Sequence, residues 1–581
     1  QAGFFDELVL NTQGLGNDPY QFANLRLRKN REYEYNLLWR SNAYFNPALT
    51  IANGQHRLDT INRWQDHELV LRPESVFKGL FGYSRNRREG AGLSTVNFFG
   101  APGDEFPLFS DVRWQRNEYR LGGEIDRRSF RLRVTRVWEN FKDDPRQRAG
   151  EPLAGKDRDD PAMLDGFRRD GPYHGNSPGW RGFLFAEAGR WLSISVRGTY
   201  TGSERDFVVD EAASGINPFG GSFDRQIVAF GTGRRPVATG SGAISLFLSE
   251  RLVIANHTAF HHLRTEGDSL YREFNNRNFD FSELAFQSLA IRTVVNTSDI
   301  SYRWRPWLGL HGGYHYSTRR VRSRELLSGD GLDTAVTAGQ TNTLHSGLMG
   351  VRLQPLKPLT LNLEGEIGRA DRPFFPVGER NYHLIGGRIQ YKTPRLLLAA
   401  ATRIHYNTNA VTLSAHSSRS RNHAFDFSWA PSERFAVDAG YNRMRLDTRS
   451  GIAYFAAFEL VEGDRSIYVS NISAAHAGIR AVLTKRLSMS AGYHRVQDTG
   501  DGREGAAVPP GGADPGSALA LFRDVQTFPL AFESPLARLT LRIRPGIAWN
   551  VGYQYYRYAE SFLSFQNYRA HTGYTSVVWS F

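Results

Sequence analysis

The chain ends in HTGYTSVVWSF, from His571 to Phe581, and this stretch decides the fold. Every second residue of the segment falls on one side of an extended chain, namely Thr575, Val577, Trp579 and Phe581. The residues between them, Ser576, Val578 and Ser580, fall on the other side of an extended chain. A period of two with one apolar side predicts a β-strand that covers one of its faces.

The same alternation recurs along most of the chain, in pairs of segments joined by tight polar turns. Proline and glycine suit these turns because they preset φ or permit positive φ, and proline would interrupt a central strand. Eleven such turns are predicted, at Lys29–Arg31, Pro73–Ser75, Asp126–Arg128, near Gly189, Ser249–Arg251, Arg305–Pro306, Pro355–Pro358, Thr393–Arg395, Pro431–Arg434, Thr484–Arg486 and Arg544–Gly546.

Long, glycine-rich polar connections lie between the hairpins, for example from Asp143 to Gly179 and from Asp498 to Ala518. Short turns at one end and long loops at the other are typical of a transmembrane β-barrel. Eleven turns imply twelve hairpins, so the fold class is all-β, a single large antiparallel transmembrane β-barrel of about 24 strands (range ~22–26), with short periplasmic turns and long extracellular loops. This organisation uses residues 1–581 as one barrel domain, and no plug or separate soluble domain is expected.

Composition agrees with a barrel and excludes a bundle of membrane helices. Mean hydropathy is −0.46, and no stretch approaches the roughly 18 apolar residues that a membrane helix needs. Cysteine is absent, which excludes disulfides, thiolate metal sites and covalent c-type haem attachment. The formal charge is +13, and arginine supplies most of it; a nucleic-acid partner is not expected, because the arginines recur through alternating strands rather than in one tail or helix.

Alternation also assigns the two faces of each strand. Leu539, Leu541 and Ile543 fall on the side opposite Arg538 and Arg542, and hydrocarbon must take the apolar side because a charge at mid-bilayer costs about 2–4 kcal/mol. The predicted lumen-lining residues are Arg26, Arg28, Arg120, Glu124, Arg131, Arg133, Glu364, Glu366, Arg538 and Arg542. These charges are interpreted either as braces of the wall or as a selectivity lining.

Tryptophan follows the turns, which predicts a girdle at one membrane interface. Amphipathic rings prefer the headgroup level of a bilayer. The predicted interface aromatics are Trp191, Trp304, Trp307, Trp429, Trp549 and Trp579.

The layout and the terminal VVWSF resemble Gram-negative outer-membrane β-barrels. That resemblance implies an assembly signal at Val577, Trp579 and Phe581, and partners in the barrel-assembly machinery, outer-membrane lipid and lipopolysaccharide. It also implies a location in the bacterial outer membrane, with QAGFFDELVL read as the start of a mature chain after signal-peptide removal. A plug-bearing TonB-dependent transporter is disfavoured, because strands are expected to begin by Phe22.

The segment from Phe106 to Asp144 also resembles the barrels that sheathe multihaem cytochromes in outer-membrane electron conduits. Those barrels often carry an N-terminal C-x-x-C, from which this chain departs. The resemblance implies a periplasmic or extracellular cytochrome as partner, with haem in that partner and no cofactor in this chain.

Catalytic and metal motifs are sparse, and no enzyme activity is expected. His261–His262 and the pair His311/His315 are candidate metal ligands, but residues four apart on a strand are about 13 Å apart, so no metal site is predicted from them. The loop carboxylates Asp157, Asp159, Asp160, Asp165 and Asp170, and likewise Asp498, Asp501 and Glu504, are an alternative surface Ca²⁺ site without EF-hand spacing. Solvated loop charge is the favoured interpretation.

Three functions remain open from the sequence. The first is a pore or channel for small, anionic solutes, favoured by the lumen arginines. The second is a sheath around a multihaem cytochrome or another periplasmic partner. The third is a soluble β-propeller that acts as a binding module, although no repeat of about 40–50 residues is present.

Overall fold

The computed structural model describes residues 3–15, 18–45, 59–97, 105–149, 151–155, 157, 159–329, 332–375, 377–410, 415–456, 459–500, 530–560 and 564–580. Phe581, Asp501 and Glu504 therefore lie outside the described residues. Strands dominate this part of the chain, and one 3-10 turn spans Ser564–Gln566. Among the helices described here, none is long and apolar enough to cross a membrane.

The strands belong to one sheet. In chain order they are β1 (Glu7–Gln13), β2 (Tyr20–Lys29), β3 (Tyr33–Tyr44), β4 (Thr60–Leu71), β5 (Phe77–Val96), β6 (Phe106–Arg127), β7 (Phe130–Asp143), β8 (Arg146–Ala149), β9 (Leu153–Ala154), β10 (Met163–Asp170), β11 (Tyr173–Asn176), β12 (Gly179–Ala188), β13 (Leu192–Ile216), β14 (Ser222–Phe247), β15 (Leu252–Asn275), β16 (Asn278–Arg305), β17 (Leu308–Gly329), β18 (Leu332–Leu356), β19 (Leu359–Ala370), β20 (Asn381–Lys392), β21 (Leu396–Asn409), β22 (His416–Ser432), β23 (Phe435–Ala456), β24 (Glu459–Val482), β25 (Leu487–Asp498), β26 (Leu530–Arg544), β27 (Ile547–Glu560) and β28 (Tyr568–Ser580).

The sheet closes into an antiparallel barrel of 24 strands, as the sequence predicts. Around the ring β7 is followed by β12, and the last strand pairs with the first through Val9↔Ser580 and Leu10↔Trp579. Closure pairs the first strand with the last at this seam, and closing the sheet in this way is how barrels avoid edge-to-edge aggregation. The β-propeller alternative is therefore wrong, because a propeller would need several separate four-stranded blades.

All eleven predicted turns join consecutive strands at one end of the barrel. The turn after β14 begins with Ser249, whose hydroxyl accepts hydrogen bonds from the backbone N–H groups of Arg251 and Leu252. At Gly189 and Gly546 the backbone φ is +59° and +83°, a region that favours glycine. The turn residues therefore adopt the tight turns that the sequence predicts.

The long connection after β7 departs from the prediction, because part of it continues the barrel wall. The segment β11 lies between β7 and β13 in line with β12, and β8 and β10 fill the wall between β6 and β13 above the end of β7. Pro145, Pro172 and Pro178 separate these pieces. Proline donates no ladder hydrogen bond, so one long strand becomes several short ones.

A buried apolar cluster lies at this loop end. Phe106 and Leu108 of β6 have no exposed surface, and Leu164 and Phe167 of β10 pack with them. Within the described residues this is where the largest apolar side chains are excluded from solvent. The segment around Leu153 and Ala162 therefore packs onto the wall instead of extending into solvent.

Candidate functional site on the inner wall

The two faces of the barrel can be traced from strand to strand, because direct partners in a β-ladder point to the same side of the sheet. Arg120 of β6 shares a face with Glu124, and Glu124 lies opposite Arg133 of β7. Followed from strand to strand around the barrel, this face reaches Val9 of β1, whose ladder partner is Arg26 of β2. From Arg26 the ladders of β2 to β6 lead back to Arg120, so the assignment is consistent around the whole ring.

The opposite face carries an apolar surface that is exposed along the whole ring. Leu539, Leu541 and Ile543 are 46%, 37% and 51% exposed, and Met349 and Ile367 are about three-quarters exposed at 74% and 73%. Only hydrocarbon can cover so extensive an apolar surface on a closed barrel. The apolar face is therefore the outer one, and the charged face lines the lumen.

The ten predicted lumen residues all lie on this charged face, by the same tracing. Their contacts differ. Most take part in short polar contacts: Arg26 with Glu34 at 3.4 Å, Arg28 with Glu74 at 3.0 Å, Arg120 with Asp66, Glu124 with Lys78 at 3.0 Å, Arg131 with Asp126 at 3.0 Å, Glu366 with the Tyr382 hydroxyl at 2.6 Å, and Arg538 with Asn550 at 2.8 Å. Glu364 lies against Gly386, where a Cβ would meet its carboxylate. Arg133 and Arg542 are exposed.

A dense ion-pair network braces β4, β6, β7 and β12. Its centre is Glu118, whose side chain is only 7% exposed and which contacts Arg181 at 2.8 Å, Arg116 at 3.4 Å and Arg120 at 3.7 Å. Arg116 also pairs with Glu139 of β7 at 2.5 Å. Here each guanidinium has a carboxylate partner, which corresponds to the brace interpretation of the sequence.

A different arrangement begins beside this network. Arg133 of β7 and Arg197 of β13 border a depression of about 560 Å³ whose lining also includes Phe183, Thr199 and His261. Both guanidinium groups are exposed, and neither forms an ion pair with any residue that the structure describes. We call this depression the first arginine surface.

A second depression, of about 550 Å³, lies on the wall from β17 to β22. Its inward-facing cations are Arg352, Arg388 and Arg403, all exposed and, among the described residues, all without an ion pair. Glu364 and His311 complete its charged and titratable lining. We call this depression the second arginine surface.

Sequence reasoning found Arg133 but missed Arg197, Arg352, Arg388 and Arg403. The alternation that identifies them is present: Arg197 falls on the same side of its strand as the polar residues Ser195 and Thr199, and Arg388 falls on the same side as Gln390. What local sequence lacks is the identity of the neighbouring strands, and this decides whether a carboxylate lies within reach.

The histidines and loop carboxylates that the sequence offers as candidate metal ligands do not form a metal site in the described part of the chain. No group there brings three or more His, Asp or Glu residues close enough to hold an ion. His311 and His315 face the lumen, where His315 contacts Thr297 at 3.0 Å. The Asp498 carboxylate accepts hydrogen bonds from the Ser470 hydroxyl at 2.6 Å and from the backbone N–H of Asn471 at 2.9 Å.

The six predicted interface tryptophans are exposed at the short-turn end of the barrel. Their exposed fractions run from 42% for Trp429 and Trp549 to 54% for Trp191 and Trp304, with Trp307 at 50% and Trp579 at 47%. Val577 lies on the same outer face as Trp579 and is 51% exposed.

The loop end of the wall carries its own titratable groups. Tyr173 of β11 donates a hydrogen bond to Asp143 at 2.8 Å. Burial, together with this bond to a carboxylate, raises the pKa of Tyr173 to about 12. The phenol therefore stays protonated at physiological pH and links β11 to β7.

No family model matches the chain, and no curated protein matches its sequence. Among solved structures, the siderophore receptor PiuA from Acinetobacter baumannii is similar in fold, with a TM-score of 0.50 at 9% identity over 97% of this chain and 86% of PiuA. The ferric yersiniabactin uptake receptor FyuA from Yersinia pestis has a TM-score of 0.49 at 9% identity, over 90% and 78% of the two chains. At this identity the likeness to PiuA concerns the fold alone: a large outer-membrane β-barrel. With the apolar outer face, this fold confirms the predicted barrel and its outer-membrane location.

Proposed function

We propose that this barrel provides an anion-favouring passage across the outer membrane. The observation that carries the proposal is the pair of arginine surfaces on the inner wall, where five exposed guanidinium groups have no carboxylate partner among the described residues. A guanidinium presents five N–H donors in a fixed fork and binds carboxylate or phosphate groups in a bidentate manner. Small solutes with such groups are the class that these surfaces suit.

The contrast with the braced part of the wall supports this function. Around Glu118 the arginines are neutralised by carboxylates, and that region has little charge left for a solute. At the two arginine surfaces the arginines outnumber the carboxylates of the lining, which are Glu68 at the first surface and Glu364 at the second, and the low-dielectric wall behind them strengthens the attraction for an anion. The lumen therefore divides into a structural part and a part suited to recognition.

The test is the ion selectivity of the purified barrel in a planar bilayer under a KCl gradient. We expect a reversal potential that reports preference for chloride. In the variant R133Q/R197Q/R352Q/R388Q/R403Q this preference should move toward unity, because the fixed positive charge of the lumen is removed. The control R292Q/R320Q/R369Q removes arginines from the outer face and should leave selectivity unchanged.

Two results would overturn the proposal. One is cation preference or unchanged selectivity in the five-arginine variant. The other is an isolated chain that does not conduct and co-purifies with a haem protein, which would favour the cytochrome sheath instead.

A further inference from the structure

Five cross-strand pairs of arginines occur on the outer face in the described part of the barrel. In two of them both arginines have carboxylate partners: Glu89 contacts Arg63 and Arg87, and Arg148 and Arg168 contact Asp111 and Asp170. The other three are the direct ladder partners Arg292↔Arg320 on β16 and β17, Arg421↔Arg445 on β22 and β23, and Arg557↔Arg569 on β27 and β28. Like charges placed directly opposite each other destabilise a sheet, by up to about 1 kcal/mol per pair. Three repeats of an unfavourable pairing call for a compensating partner.

Their position on the outer face follows from strand periodicity. Arg292 shares a face with Ile300 and Trp304, which are 47% and 54% exposed on the same strand. In the same way Arg421 shares a face with Phe425, and Arg569 with Val577. In each strand the arginine lies on the loop side of these apolar residues. Arg292 lies 12 residues from Trp304, roughly 40 Å along a tilted strand, which exceeds an apolar band about 25 Å tall. Leu284, 53% exposed, lies still farther toward the loops on the same face.

Tyrosine–histidine pairs lie between two of the arginine pairs, Arg292↔Arg320 and Arg557↔Arg569, and the apolar belt. The Tyr314 hydroxyl contacts His345 Nδ1 at 2.5 Å, and the Tyr553 hydroxyl contacts His571 Nδ1 at 2.6 Å, both on the outer face. Amphipathic rings of this kind mark the level where acyl chains give way to headgroups. The arginine pairs therefore lie at headgroup level, in the leaflet on the side of the long loops.

The described residues compensate these cations only in part. Arg445 pairs with Asp447 at 3.1 Å, and Glu533 lies opposite Arg557 in the ladder. Arg292, Arg320 and Arg569 have no ion pair with a described residue and are exposed. The Nε atom of Arg421 is buried without a hydrogen-bond partner in the protein.

We propose that the three arginine pairs bind the phosphate groups of lipid headgroups in the outer leaflet. Two arginines whose Cβ atoms lie about 5 Å apart across a ladder can reach both sides of one phosphate, and Arg–phosphate contacts are bidentate and charge-assisted. A dianion between the two cations turns repulsion into attraction. This inference does not depend on which solute the lumen carries.

The test measures lipid A that remains bound to the detergent-purified barrel, by native mass spectrometry after incubation with bisphosphorylated lipid A. We expect the variant R292Q/R320Q/R557Q/R569Q to bind lipid A at least about tenfold more weakly, since each arginine near an anionic lipid surface contributes on the order of 1 kcal/mol. The matched control R128Q/R190Q/R434Q/R486Q removes the same charge from exposed turn residues at the other end and should bind lipid A as the parent does.

A second arm uses the unmodified chain and so does not depend on how the variant folds. Dephosphorylated lipid A should bind at least about tenfold more weakly than the bisphosphorylated form if phosphate is the recognised group. Inorganic phosphate at the same concentration should not displace bound lipid A, because it lacks the acyl chains that cover the belt below. Equal binding of both lipids, displacement by free phosphate, or equal loss in the turn control would overturn the proposal.

Discussion

At the residue scale, glycines of the inner wall provide space for larger side chains on neighbouring strands. The His311 ring lies over Gly350, where a Cβ would come within 2.1 Å of the ring and 2.9 Å of the Leu363 carbonyl oxygen. Tyr574 lies over Gly552 in the same way. A ring that lies flat on the wall covers the exposed glycine backbone and keeps its bulk out of the lumen.

The substitution Gly350→Ala should therefore destabilise the barrel. The new methyl group collides with the His311 ring and with a backbone oxygen that cannot move, and overpacking of this kind costs about 1–3 kcal/mol. Gly347→Ala on the same strand is the control, because nothing lies within 4 Å of its Cβ position. Urea unfolding in lipid vesicles, followed by tryptophan fluorescence, compares the two; equal midpoints would contradict the assignment.

At the element scale, the Glu118 network joins strands that are not neighbours. Glu118 on β6 reaches Arg181 on β12 across the width of β7, so it couples three strands through one carboxylate. Glu118→Gln removes the charge but keeps the shape, and leaves three guanidinium groups facing each other. We expect a loss of about 1–3 kcal/mol in unfolding free energy, the range for a broken buried contact to charged groups.

The control for this prediction is Glu204→Gln. Glu204 pairs with Arg234 at 3.1 Å, but the two side chains are 57% and 64% exposed, and exposed ion pairs contribute about 0–1 kcal/mol. Unfolding of both variants is measured by urea titration in the same vesicles. If Glu204→Gln proves as costly as Glu118→Gln, burial does not explain the strength of the network.

Elements were predictable from the sequence where the information is local. Turns such as Ser249–Arg251 and Pro431–Arg434 can be predicted from residue type. Alternation determines on which side of its strand a residue such as Arg120 or Leu539 lies. The extension of the wall by β8 and β10 was not predictable, because short pieces between prolines have a weak periodicity and pair with the distant strands β6 and β13. The same limit hid the arginine surfaces, whose unpaired state depends on neighbours around the ring.

At the scale of the whole molecule, the barrel depends on one seam that joins the two ends of the strand order. Here β1 is short, from Glu7 to Gln13, and meets β28 at Val9↔Ser580 and Leu10↔Trp579. Other ladders, such as that between β13 and β14, run for the full length of strands of about 25 residues. Among the described ladders between neighbouring strands of the 24-strand ring, the one between β1 and β28 pairs the fewest residues. The register of this ladder decides whether the barrel closes.

Cysteine cross-linking tests this register directly, because the natural chain contains no cysteine. Direct partners in an antiparallel ladder have Cα atoms roughly 4.5–5.5 Å apart, inside the range that a disulfide spans. The pair V9C/S580C should therefore oxidise in the folded barrel and give a cross-linked ring with altered mobility on a non-reducing denaturing gel. In V9C/S576C the second cysteine lies on the same face but about 13 Å along the strand, so no cross-link is expected. Cross-linking of V9C/S576C in place of V9C/S580C would mean that β1 and β28 pair four residues out of the stated register, and cross-linking of neither would mean that these strands do not close the barrel.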